Sequence, residues 1–203
     1  MCVQRLTLEN PFCSRRIRPG ALPYCFLPGD DVEKIIDLLR KNNWRGAIVG
    51  PHGSGKSTLL AAILPALEKI GCRAVLFQLH DGQRNMPPDW RGCCKLSPST
   101  APVIIAVDGY EQLGFWSRIR VKWTVQRRRL GLLVTSHVWA GLPVIYHPPV
   151  SLEMTGKIVE QLLEDGQISV PQRILAELFA KHQGNVREVL FDLYDFVEQN
   201  KTY

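Results

Sequence analysis

The stretch "GPHGSGKSTLL", residues 50 to 60, constrains this chain more than any other. Gly50, Gly55, Lys56 and Ser57 meet the spacing G-x-x-x-x-G-K-[ST], and Gly53 adds freedom inside the loop. Glycines let the backbone point successive N–H groups inward, and a helix that starts at once brings its positive end to the same place. Such a loop needs a strand before it and a helix after it. "RGAIVG" (45–50) supplies a short apolar strand, and "TLLAAILPALEKIG" (58–71) a helix, with Pro65 predicting a bend and Gly71 a stop. Lys56 is then placed to reach the β- and γ-phosphates of a nucleotide, and the Ser57 hydroxyl to ligate magnesium. Gly50, Pro51, His52, Gly53, Ser54, Gly55, Lys56, Ser57 and Thr58 form the candidate nucleotide-binding loop.

The remaining apolar pattern alternates between helices and short strands. "DDVEKIIDLLRKN" (30–42) carries Val32, Ile35, Ile36 and Leu39 at helical spacing, with acids at its start and cations at its end. "RAVLFQL", "PVIIAVDG" (102–109), "LGLLVTSH" and "PVIYHPP" (143–149) read as strands, and 110–129 as one helix. The crossover from 79 to 101 shows no readable helix. Five strands separated by helices or long crossovers predict an α/β fold: a parallel five-stranded sheet flanked by helices, with its phosphate site at the carboxyl ends of the strands. From Ser151 onward strands disappear and three amphipathic helices follow, which predicts a small C-terminal helical lid. The expected division is an N-terminal linker or arm at 1–28, a nucleotide-binding core at 29–150 and a lid at 151–203.

A triphosphate site also needs a carboxylate for its metal. Asp108 ends the apolar run "VIIAVD", where a buried strand opens at the sheet edge and can hold magnesium with Ser57. Glu111, three residues on, is the candidate base that polarises the attacking water. The expected ligands are therefore ATP and Mg2+.

Charge divides unevenly. Residues 1–150 carry 20 Lys/Arg against 10 Asp/Glu, whereas 151–203 carry 5 against 9, so a net of +10 meets a net of −4. Between Glu111 and Glu153 there is no acid, and "RIRVKWTVQRRR" (118–129) holds six cations. This marks Arg118, Lys122, Arg127, Arg128 and Arg129 as candidates for meeting nucleic acid, with an acidic protein surface or a solvated helix face as the other readings. On the same helix Leu113, Trp116, Ile119 and Trp123 form a second, apolar stripe, which predicts that the tryptophans lie in the core. A protein partner or self-association is also expected. No apolar run approaches the roughly 18 residues of a membrane span, and the start lacks a secretory signal, so the expected location is the cytoplasm without a membrane partner. The six cysteines fall at no zinc spacing and are expected to be reduced thiols.

The Gly50-to-Ser57 loop and the Asp108 strand resemble the core of a P-loop ATPase, and the later segments resemble the AAA+ superfamily and its relatives, the STAND signalling NTPases. The resemblance implies a sheet in the order 5-1-4-3-2, a polar sensor residue ending the fourth strand, and a lid arginine. Thr135, Ser136 and His137 stand at the sensor position, with Ser136 taken as the nucleotide-facing candidate. "GNVR" implies Arg187 as the lid arginine that touches nucleotide and takes part in catalysis with Lys56 and Glu111. Arg18, Pro19, Pro23 and Tyr24 lie in a segment similar to the linker beside adenine. The chain departs from the family pattern in three ways: Asp-Gly-Tyr-Glu replaces the usual Asp-Glu pair, "HVWAGLP" has no arginine finger, and the 79–101 crossover lacks a helix. The implied function is an ATPase whose turnover moves the lid or a partner. The alternative is a STAND-like nucleotide-gated switch with slow or no turnover; a small-molecule kinase ranks below both, because residues 151–203 have only Arg173 and Arg187 for a closing lid.

Overall fold

The computed structural model describes residues 10–93, 101–163 and 168–200. Along the chain a one-turn helix α1 (Ser14–Ile17) precedes α2 (Val32–Lys41), β1 (Arg45–Val49), α3 (Lys56–Lys69), β2 (Arg73–Gln78), a one-turn α4 (Trp90–Cys93) and β3 (Val103–Asp108). A 3-10 turn (Tyr110–Gln112), α5 (Phe115–Arg127), β4 (Gly131–Ser136), β5 (Val144–Tyr146), α6 (Leu152–Leu162), α7 (Gln172–Lys181) and α8 (Val186–Asn200) follow. The chain divides into two compact units, one of residues 26–149 and one that joins the N-terminal segment up to Cys25 with residues 150 onward.

In the first unit all five strands pair in parallel, in the order β2-β3-β4-β1-β5. Read in reverse, this is the predicted 5-1-4-3-2. The strand ends align: Asp108 pairs with Gln78, and Ser136 with Val49, so β1, β3 and β4 all open on one carboxyl edge. Because successive side chains point to opposite faces, Ala47, Ile105, Val107, Leu132 and Val134 meet Val121 and Val125 of α5 in one core layer. Their neighbours Ile48, Ile104 and Leu133 are equally buried, as are Ile35, Ile36 and Leu39 of α2 and Leu59, Leu60, Ile63 and Leu67 of α3. Asp31 caps α2, its carboxylate accepting from the Lys34 N–H at 2.7 Å. The crossover contains only the single turn α4 among its described residues, and 94–100 lie outside them.

The 110–129 segment is two elements rather than one helix. After the 3-10 turn Leu113 is extended, and α5 starts anew from Gly114. Leu113 is buried as part of the turn, whereas the residues of α5 that face the core are Val121, Thr124 and Val125. Trp116 and Trp123 are not in the core: they are 75% and 59% exposed. The break resets the helical phase, so a stripe extended from Leu113 runs onto the solvent face.

In the second unit residues 10–25 pack with the C-terminal helices. Phe12 is wholly buried in a cluster with Val159, Leu162, Leu175, Val189, Leu193 and Val197. The buried amide of Asn10 donates to the Tyr194 carbonyl at 3.0 Å and to Glu198 Oε1 at 2.7 Å, and its oxygen accepts from the Phe12 N–H at 3.0 Å. Asp192 of α8 accepts from Lys181 at 2.6 Å and from His182 at 2.8 Å, and these two bonds hold its carboxyl below the usual range. No helix among the described residues is long and apolar enough to cross a membrane.

Phe12 is therefore a core residue of the helical unit. Phe12→Ala should lower unfolding stability by about 3–5 kcal/mol, as transfer and cavity terms add; urea titration followed by circular dichroism measures it.

Candidate nucleotide site at the carboxyl edge of the sheet

The loop after β1 is shaped by Gly53 and Gly55, whose φ values of 69° and 84° lie in the left-handed region. α3 begins immediately at Lys56. Ser57, half-buried in its first turn, donates its hydroxyl to Asp108 Oδ1 at 3.0 Å. Thr135 Oγ1, from β4, donates to the same oxygen at 2.5 Å and accepts from the Gly109 N–H at 2.9 Å. Two hydroxyls from different elements thus fix the Asp108 carboxylate.

Gly109 sets the spacing that follows. Its φ is 80°, and a Cβ there would lie 2.9 Å from the Leu79 carbonyl oxygen, so the left-handed turn and the close approach both require glycine. That turn leads into the 3-10 turn bearing Tyr110 and Glu111. Tyr110 is wholly buried and its phenol is pushed up to about 12 by that burial. Arg118 braces the turn, donating to the Glu111 carbonyl at 2.6 Å and to the Leu113 carbonyl at 2.7 Å.

Glu111 meets His137, whose Nε2 lies 3.0 Å from Oε1. The other ring nitrogen, Nδ1, is 3.1 Å from Lys56 Nζ. Burial and then the Lys56 charge push the imidazole below its ordinary value of 6.5, with Glu111 opposing them. Nδ1 also lies 3.2 Å from the Gly50 carbonyl oxygen, so a proton on Nε2 lets the ring donate to Glu111 and accept from Lys56, whereas a proton on Nδ1 would be donated to Gly50. The Lys56 ammonium also donates to the carbonyls of Gly50 at 2.8 Å and Pro51 at 2.6 Å. Burial lowers its affinity for the proton, against the pull of Glu111 and Asp108. His52, on the loop, stacks on His137 with ring centroids 3.4 Å apart.

Lys56, Ser57, Asp108 and Glu111 are thus brought together as expected from their order along the chain. Ser136 is not part of the cluster; its hydroxyl accepts from the Val138 N–H at 3.3 Å, and its carbonyl accepts from the Gly50 N–H at 3.2 Å. Thr135 and His137 flank it and reach the cluster, as the two-residue alternation of a strand dictates. That alternation is the signal by which the sequence singles out Thr135 and His137 together, or Ser136 alone. Arg187 lies in the helical unit, exposed on the first turn of α8, where Asn185 Oδ1 accepts from the Glu188 N–H at 3.4 Å. Three of the cations marked for a polyanion are engaged within the fold: Arg118 as above, Lys122, which donates to the Ala140 and Gly141 carbonyls at 2.8 and 3.1 Å, and the exposed Arg128, which donates to the Arg91 carbonyl at 3.2 Å.

Comparison of this fold with solved structures finds a replication initiator DnaA bound to AMPPCP and single-stranded DNA, with a TM-score of 0.56 and 14% identity over 84% of this chain and 60% of that one. A DNA replication initiation factor matches at 0.57 and 14% over 84% and 61%, and AMPPCP-bound DnaA from Aquifex aeolicus at 0.50 and 14% over 81% and 61%. The fold is that of the AAA+ P-loop class. The chain spans about 60% of the length of these neighbours. No family model and no curated protein sequence matches it. At this identity the AAA+ likeness is one of fold.

Two outcomes follow from the cluster. Thr135→Val should strand the Gly109 N–H and loosen Asp108, costing about 1–3 kcal/mol of stability in urea titration, while Thr135→Ser restores it. Because the His137 proton is bound more weakly in the folded chain than in the unfolded one, stability should fall as pH drops through 6.5 toward the lowered folded value. Thermal melts between about pH 7.5 and 5 should show a flatter dependence for His137→Gln than for the parent chain.

Proposed function

We propose that the chain binds MgATP at residues 50–58 and hydrolyses it, turnover moving the helical lid or a protein partner. The observation that carries this reading is the convergence of Ser57 and Asp108, 3.0 Å apart at the carboxyl edge of the sheet, beside the Lys56–His137–Glu111 cluster. A hydroxyl and a carboxylate are hard oxygen donors of the kind magnesium takes beside phosphates. The site also holds polar atoms that await a partner: Ser54 Oγ and Glu111 Oε2 are buried without a hydrogen bond among the described residues. The donor set therefore fits a metal-bound triphosphate.

The bound substrate would supply a γ-phosphorus already polarised by its metal. The N–H groups of the 50–55 loop and the start of α3 would hold the phosphate oxygens, and the Lys56 ammonium would neutralise charge that grows on them. Glu111 would polarise the attacking water, with its free Oε2 available for that contact and His137 holding Oε1. Arg187 is proposed as a further cation for the phosphates, through which nucleotide occupancy and lid position would be linked.

A second reading is favoured by one observation: His137 and the Gly50 and Pro51 carbonyls already engage Glu111 and Lys56. If that arrangement persists with nucleotide bound, the chain is a STAND-like switch that retains nucleotide and turns it over slowly or not at all.

Phosphate release and nucleotide binding by the purified chain separate the two. Lys56→Ala should abolish both, whereas Glu111→Gln should keep binding and lower turnover by about a hundredfold or more. Tight retention by the parent chain without release, even with candidate partners present, supports the switch and overturns the enzyme.

A further inference from the structure

The solvent face of α5 is an unusual mixture. Phe115, Trp116, Ile119 and Trp123 are 70%, 75%, 43% and 59% exposed, and Arg120 and Arg127 are exposed among them. Residues 116, 119, 120, 123 and 127 are spaced i, i+3, i+4, i+7 and i+11, so they form one continuous stripe. The Arg127 guanidinium sits 5.2 Å from the Trp123 ring centroid, and Phe115 meets Trp116 edge-on at 5.3 Å. Lys122 ties the following loop to this helix through the Ala140 and Gly141 carbonyls, and that loop carries Trp139, which is 74% exposed. Leaving several large aromatic faces in water along one stripe marks a surface that another molecule covers.

We propose that this face binds single-stranded nucleic acid, with Trp116 and Trp123 as stacking platforms and Arg120 and Arg127 as phosphate contacts. Charge selects this occupant. The 41 residues from Gln112 to Leu152 contain no acid. A second copy docking through the same patch, as a two-fold contact requires, would set Arg120 and Arg127–Arg129 against their own counterparts and suffer like-charge repulsion. The occupant must instead be polyanionic and present flat apolar faces. Unpaired bases on a phosphate backbone have both properties, whereas a duplex keeps its base faces stacked inside. Seven residues of helix separate the two indoles, a rise of about 10.5 Å, comparable with about three stacked nucleotides at roughly 3.4 Å each. Of the five cations marked in the sequence, Arg127 and Arg129 remain at the exposed end of the stripe, Arg128 is exposed there but donates to the Arg91 carbonyl, and Arg120 joins them in place of Arg118 and Lys122. This inference goes beyond the proposed ATPase activity and does not depend on it.

The test is fluorescence anisotropy of end-labelled dT20, rU20 and a 20-base-pair duplex with the full chain, without nucleotide, over about 50–200 mM salt. Binding of one or both single strands in preference to the duplex is expected, and comparison of dT20 with rU20 tells DNA from RNA. Trp116→Ala and Trp123→Ala should each weaken binding by about fivefold to a hundredfold, as expected for loss of one stacked base. Arg120→Gln and Arg127→Gln should each lower the slope of log affinity against log salt by about 0.7. All four side chains are exposed, so melting temperatures should be unchanged, and Lys56→Ala should bind the strands as the parent does. Absence of binding, equal binding of the duplex, or tryptophan variants that bind like the parent would overturn the proposal. So would light scattering that shows an oligomer which Trp116→Ala or Trp123→Ala converts to monomer.

Discussion

One carboxylate oxygen organises the candidate site. Asp108 Oδ1 accepts from Ser57 on the first turn of α3 and from Thr135 near the end of β4. Three elements distant in sequence are thereby fixed at the edge where β1, β3 and β4 end together. A carboxylate that accepts two hydroxyl protons is held in one orientation, and Thr135 extends the hold to the backbone through the Gly109 N–H. The start of α3, the acid that ends β3 and the end of β4 are thus one hydrogen-bonded structure.

The departure from an adjacent Asp-Glu pair has a mechanical counterpart. Gly109 turns the chain through a left-handed conformation that no side chain could occupy beside the Leu79 carbonyl. Glu111 consequently arrives from a 3-10 turn rather than from the strand itself, and needs its own supports. Buried Tyr110 anchors the turn in the core, Arg118 grips its carbonyls, and His137 takes the carboxylate. Arg118 thereby leaves the pool of cations available to a polyanion, although by sequence it is indistinguishable from Arg120.

The sheet was legible because its central strands β1, β3 and β4 are continuous apolar runs with glycine or proline beside them, and a strand buried on both faces needs nothing subtler to be read. The loop was legible because its glycines and lysine answer one local geometric demand. Which face of α5 is buried was not, since the phase of a helix is set by where it starts. Leu113 and Trp116 have helical spacing, but an extended residue and a new N-terminus intervene, so their spacing carries no information about a common face. The choice among Thr135, Ser136 and His137 depended likewise on strand register, fixed by the pairing of Val107 with Val134 rather than by any local property of the three. Asn10 and Phe12 carry no local signal, for a third reason. The partners of Asn10, Tyr194 and Glu198, lie more than 180 positions away, and Phe12, a single apolar residue before a short helix, has no periodicity to betray it.

The Lys56 ammonium shows how this site ties binding to rearrangement. It is partly buried, yet all three of its protons can be placed: on the Gly50 carbonyl, the Pro51 carbonyl and His137 Nδ1. A phosphate that draws the amine away in the proposed reaction must therefore replace these bonds and not merely add to them. His137 would then lose its cationic neighbour while keeping Glu111, so one of the influences that lower its proton affinity would be removed while burial, the larger one, remained. A proton taken up there would strengthen its hold on Glu111 and restrain the base. The same histidine that positions the carboxylate for water would then oppose its release, so the rate of turnover would depend on how far His137 remains neutral when Lys56 moves.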